Sequence, residues 1–186
     1  LPIRYFAVIS NKATLKEYKN QIEDDPQKFY NKCLQYLLEK ICGYLARFGA
    51  KANDISIVLE QRNHDYDAML RFLEKVKSNP IYPESKALGI LNPFAISRKA
   101  KGEDDLLEIA DFVAHAVYQL GNKSEQNYFI PEPRYLQEIS QRFAGDEKGL
   151  ILNSGLKCIH TLEQLKLDKD VYRIVCSMRA TLPRVI

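Results

Sequence analysis

ISIVLEQRNHDYDAML, residues 55–70, is the stretch on which the fold turns. Its first half, Ile55 to Glu60, is an apolar run of strand length that ends on a carboxylate. Its second half starts a helix: from Tyr66 to Val76 the residues Met69, Leu70, Leu73 and Val76 fall at three-four spacing, and Asn79-Pro80 stops it. A strand, a polar turn and a helix in that order are the unit of an α/β domain.

Working outward, the same alternation recurs. Upstream, Phe29, Cys33, Leu34, Leu37, Leu38, Ile41, Leu45 and Phe48 give an amphipathic helix, started by Asp24-Asp25-Pro26 and closed by Gly49. Before it, IRYFAVIS, Ile3 to Ser10, has the β-branched and aromatic content of a buried strand. Downstream, a short strand is expected at Gly89 to Leu91, then a helix from Asp104 through LLEIADFVAHAVYQL to Gly121, its early acids matching the positive end of the helix dipole. A polar linker, a helix from Pro133 to Phe143, the glycines Gly145, Gly149 and Gly155, and a strand VYRIVCS, Val171 to Ser177, complete the chain, with a loose end around Pro183. The expected division is a core over residues 1–121 and a C-terminal extension over residues 122–186 packing on it.

Composition narrows the classes of function. With 186 residues, 46% of them hydrophobic, the chain is long enough to bury a core. A formal charge of only +3 excludes a strongly basic nucleic-acid glove, so any such contact comes from a local patch. Cys33, Cys42, Cys158 and Cys176 are scattered without a CxxC pair, and His64, His115 and His160 are too dispersed to complete a zinc set, so a reduced, cytoplasmic setting is expected. No apolar run approaches the roughly 20 residues of a membrane-spanning helix. The chain opens on Leu1 and enters strand-like sequence almost at once, from which preceding material is expected.

The residues able to carry chemistry are mostly acids. Glu60 ends a strand, where open α/β sheets hold their ligands; equally, it is the first solvated residue of a loop, paired with Arg62. In the helix from Asp104, Leu106, Ala110, Val113 and Val117 make one expected apolar face, and Asp104, Glu108, Asp111 and His115 another, acidic one. Asp111 is flanked by Ile109, Ala110, Phe112, Val113 and Ala114, so it is expected to be buried and to need a cation, a metal or a proton. Carboxylates converging from a strand end and a helix suit Mg²⁺ or Mn²⁺ and the phosphodiester chemistry such ions support. Lys99, with Arg98 and Lys101, is a basic cluster able to attract phosphate. His115 either touches substrate or is an interior imidazole, while His64 and His160 are read as loop residues. Tyr128 and Tyr135 either stack on bases or pack in the core.

IVLEQRNHDYDAML resembles the strand-then-helix stretch of the domain of unknown function 3800 family, whose pattern runs E-x-R-G-x-x-E-D-x-x-L; Glu60, Arg62, Asp67 and Leu70 match. LLEIADFVA resembles that family's G-L-Q-I-A-D stretch through Leu107, Ile109, Ala110, Asp111 and Ala114, and SGLKCIH its later G-L-K stretch. The chain departs from the pattern at Asn63 and Leu106, where the family has glycine, and at Tyr66 and Glu108, where it has glutamate and glutamine. The aspartate of the family's first strand has no match here. The resemblance implies a ribonuclease H-like mixed sheet with flanking helices, incomplete at the N-terminus. It also implies a metal-dependent nuclease, with Glu60 and Asp111 as catalytic metal ligands for Mg²⁺ or Mn²⁺; Glu108, one turn before Asp111 and a departure from the pattern, either serves as an extra ligand or faces water. Arg62 and Asp67 are then expected to support those ligands or to contact a nucleic-acid substrate, and Lys99 and His115 to contact it, with a solvated loop the equal alternative for Lys99. With that aspartate unmatched, the chain as given is expected to be inactive or poorly active as a nuclease, and a rival expectation stands: a non-catalytic module that binds a protein, a nucleic acid or a second copy of itself.

Overall fold

The computed structural model describes residues 3–15, 25–159 and 161–181. The readings of Asp24, His160 and Pro183 fall outside them. The chain is α/β and divides into two units, one formed by residues 18–109 and the other by residues 1–17 and 110–186.

In the 18–109 unit, Asp25 starts the helix α1, Pro26–Ala46, by accepting hydrogen bonds from the backbone N–H groups of Gln27 at 2.8 Å and Lys28 at 3.4 Å. Pro26 occupies the first turn, where a missing N–H costs nothing. Gly49, with φ of +76°, follows the helix in the left-handed conformation that favours glycine. A strand β2, Val58–Glu60, leads through a polar turn to α2, Tyr66–Ser78, whose cap is Asp65, accepting from Ala68 N–H at 2.9 Å. Leu34, Leu38 and Cys42 of α1 share a core with Tyr66, Met69 and Leu73 of α2 and with Leu88 and Leu91. Each fully buried leucine there contributes roughly 1.5–3 kcal/mol. The expected strand at Gly89 to Leu91 is instead the end of a 3₁₀ helix, Pro83–Ile90. Pro83 sets its first turn, and buried Leu88 anchors it in the core. A strand β3, Ser97–Lys99, then pairs parallel with β2, Val58 opposite Ser97 and Glu60 opposite Lys99.

In the other unit, β1, Ala7–Ile9, pairs parallel with β4, Leu156–Cys158. The segment after residue 121 therefore shares a sheet and a core with the start of the chain. Helix α3, Asp105–Tyr118, runs across the 109/110 boundary and buries Val113, Ala116 and Val117 in this core, alongside Leu120, Leu136, Phe143, Ile151 and Leu156. Leu106 and Ala110, expected on that apolar face, are exposed. A short helix α4, Arg134–Ile139, and a helix α5, Lys169–Ser177, follow. VYRIVCS is thus helical rather than a strand. Val171, Ile174, Val175 and Met178 lie at i, i+3, i+4 and i+7, and all four contribute to the core, which a helix achieves and a strand would not.

Among the described residues, then, the strands form two separate two-stranded parallel sheets rather than one mixed sheet. No helix among them is long and apolar enough to cross a membrane.

Candidate functional site at the carboxyl end of β2 and β3

Parallel pairing sets Glu60 and Lys99 side by side at the carboxyl ends of their strands, and Gln61 N–H extends the ladder by donating to Lys99 O at 2.8 Å. Chain leaving such an edge diverges, so polar side chains gather there without burying their charges. Arg62 Nη2 donates to Glu60 Oε2 at 3.2 Å, and Lys99 Nζ donates to Asp104 Oδ2 at 2.7 Å. Asp104 Oδ1 also accepts from Leu106 N–H at 3.0 Å, fixing the start of α3. The hydrogen bond from Lys99, helped by the Leu106 N–H, holds the Asp104 carboxyl below its ordinary range.

Tyr66 organises the turn between β2 and α2. Its hydroxyl donates to Glu60 O at 3.1 Å and accepts from Arg62 N–H at 2.7 Å, while its ring, 7% exposed, sits in the core. The Arg98 guanidinium lies over that ring, 4.8 Å from its centroid. His64 stands edge-on to two rings, 4.3 Å from Tyr30 and 5.3 Å from Tyr66, with Nε2 2.9 Å from Gln27 Nε2 and 3.1 Å from Asn31 Oδ1. Burial lowers its imidazole below the ordinary 6.5, with the nearby Asp65 charge opposing.

The sequence-derived residues thus separate. Glu60, Arg62 and Lys99 come together at one strand end, joined by Asp104. Asp67 and Glu108, in the same unit, are exposed. Asp111 and His115 belong to the other unit, and both are exposed on α3. His115 Nε2 lies 3.2 Å from Gln119 Nε2, and its ring is 6.0 Å from that of Tyr135. The expected burial of Asp111 is corrected: Val113, Ala116 and Val117 define the inward face of α3, and Asp111 falls on the opposite side despite its apolar sequence neighbours. Tyr128, expected either to stack or to pack, is 84% exposed.

No family model, curated protein or solved structure matches the chain.

Glu60 and Asp104 have the hard oxygen donors that Mg²⁺ and Mn²⁺ take. Both are already bonded to cations, however, and among the described residues no three His, Cys, Asp or Glu side chains gather to hold an ion. As arranged, these side chains do not form a metal cage. What they form is an edge of paired charges, Arg62 with Glu60 and Lys99 with Asp104. Tyr66 and His64 were not legible as parts of it. Tyr66 reads as the first residue of a helix, and the spacings to Glu60 and Arg62 carry no motif of their own.

Proposed function

We propose that the chain acts on nucleic acid as a ribonuclease H-like phosphodiesterase, with the phosphate backbone received at the carboxyl end of β2 and β3. Glu60 is the carboxylate placed at that edge; the likeness to the domain of unknown function 3800 family implies Asp111 as a second catalytic carboxylate and Mg²⁺ or Mn²⁺ as the cofactor. The observation that supports this reading best is the register of Glu60 with Lys99, which sets an acidic and a basic residue on neighbouring strands at the carboxyl end of a parallel pair, where open α/β sheets hold ligands. Arg62, on the turn that follows, adds a guanidinium within hydrogen-bond reach of Glu60.

A second reading has its own support. Glu60 and Asp104 are each neutralised by a cation, which suits an edge that holds a strand without cutting it, the non-catalytic module. Incubating the protein with labelled RNA and DNA in Mg²⁺, in Mn²⁺ and in chelator separates the two. Nuclease activity predicts metal-dependent cleavage that disappears in both Glu60→Gln and Asp111→Asn. Binding without cleavage in every condition establishes the non-catalytic module, and cleavage that survives Asp111→Asn removes that residue from the site.

A further inference from the structure

Four basic residues cluster along this edge, Arg98 in the middle of β3, Lys99 at its end, and Arg62 and Lys101 just beyond the strands, and the structure distinguishes three of them by what holds them. Arg62 is bonded to Glu60 and Lys99 to Asp104, so the field of each is largely cancelled by its partner. Arg98 is held differently. Among the described residues no carboxylate pairs with it; a ring supports it instead, the face of Tyr66 at 4.8 Å. Stacking covers one face of the guanidinium plane and fixes its direction, but leaves the in-plane N–H donors unspent. Those donors match the two free oxygens of a phosphodiester. The supporting ring is itself immobilised, because Tyr66 is buried and its hydroxyl is tied to the backbone of both Glu60 and Arg62.

We propose that Arg98, not Lys99, is the cation that grips the substrate phosphate, with Tyr66 as the residue that positions it. This rests on the reading of the chain as a nucleic-acid-binding protein and adds the contact that anchors the strand. Lys99, the residue singled out by the sequence, instead organises Asp104 and the start of α3. Arg98 stands opposite Leu59, one residue before the Glu60–Lys99 pair.

Fluorescence anisotropy of a short single-stranded oligonucleotide, titrated at several salt concentrations, tests this with the intact chain, Arg98→Ala and Arg98→Lys. Arg47→Ala is the matched control: its guanidinium lies over the Tyr44 ring at 5.0 Å, a similar stack built at the end of α1 rather than on β3. Thermal unfolding of each variant checks that the fold is kept. The expected result is that Arg98→Ala weakens binding roughly tenfold, the loss of about one charge-assisted hydrogen bond. It also reduces the salt slope by about 0.7, one phosphate contact on a single strand. Arg98→Lys restores the slope but not the full affinity, and Arg47→Ala binds as the unaltered chain does. If the unaltered chain binds and Arg98→Ala binds equally well, Arg98 is not the anchor while nucleic-acid binding stands. Equal losses in Arg98→Ala and Arg47→Ala reduce the effect to net charge and also overturn the assignment. Absence of binding by the unaltered chain overturns the functional reading, and this proposal with it.

Discussion

Ser85 donates its hydroxyl hydrogen to Glu39 Oε1 at 2.7 Å, joining the 3₁₀ helix Pro83–Ile90 to α1 inside the core of the 18–109 unit. Gln35 Nε2 donates to the same oxygen at 2.7 Å, and Lys32 Nζ donates to Gln35 Oε1 at 3.1 Å. Glu39 is 6% exposed and Ser85 1%. A carboxylate so placed is tolerable only while its donors are present.

Ser85→Ala therefore removes one of two donors from a buried acceptor, and a loss of roughly 1–3 kcal/mol in unfolding free energy is expected. Urea unfolding followed by circular dichroism measures it. The double variant Ser85→Ala with Glu39→Leu, which removes the acceptor as well, should recover part of that loss. No recovery would mean that the hydroxyl matters for packing rather than for the carboxylate.

Gly155 and Gly89 give opposite expectations for the same substitution. A Cβ on Gly155 would lie 2.6 Å from Ala144 O and 2.7 Å from Ala144 N, where the backbone is fixed by hydrogen bonds from Gly155 N–H to Ala144 O and from Ala7 N–H to Gly155 O, each 2.8 Å. Gly155→Ala should cost roughly 2–3 kcal/mol or leave the β1–β4 pair unformed. A Cβ on Gly89 meets nothing within 4 Å, so Gly89→Ala should be neutral or stabilising by up to about 1 kcal/mol. Thermal melts of the two variants decide it, and a Gly155→Ala variant as stable as the unaltered chain would contradict the close approach.

These cases show which parts of the molecule the sequence makes readable. α1 announces itself because apolar period and cap residue agree, Asp25 starting a run whose inward residues are three or four apart, and α2 by its apolar period alone. VYRIVCS misleads because β-branched content outvotes its spacing, although Val171 and Val175 are one helical turn apart and both buried. The inward face of α3 is set by Val113, Ala116 and Val117, a stripe offset from the one through Leu106 and Ala110, so linear neighbours gave the wrong burial for Asp111. At the candidate site Glu60 is legible because a strand ends on it. Its register with Lys99, and the Tyr66 ring beneath Arg98, depend on pairing between segments about forty residues apart and leave no local signature.

His64 should titrate below its ordinary 6.5. Removal from water between Tyr30 and Tyr66 disfavours the imidazolium, and the Asp65 carboxylate only partly offsets this. The unfolded chain therefore takes up the proton first as pH falls. The contribution of this group is present above pH 6.5 and is lost as pH drops through 6.5 towards the folded midpoint. Asp65→Asn keeps a residue able to cap α2 but removes the opposing charge, so the midpoint should fall further. Proton NMR of the His64 ring follows both, and a midpoint at or above 6.5 in the unaltered chain would refute the assignment of burial as the dominant cause.

The four cysteines should divide into two reactivity classes although none lies in a recognisable motif. Cys42 is 0% exposed and Cys158 3%, and burial pushes both thiols up to about 11 from an ordinary 9.0. Only the thiolate attacks an alkylating reagent, so a rise of that size alone leaves roughly a hundredfold fewer reactive species, before any steric barrier. Cys33 and Cys176 are half-buried and lack that degree of enclosure. Iodoacetamide at mildly alkaline pH, with the labelled sites mapped by mass spectrometry over time, should mark Cys33 and Cys176 in the folded chain and reach Cys42 and Cys158 only on a timescale set by unfolding. Adding urea should then abolish the difference between the pairs. Early labelling of Cys42 would mean that the α1–α2 core opens far more readily than its packing implies, and early labelling of Cys158 would say the same of the β1–β4 pair.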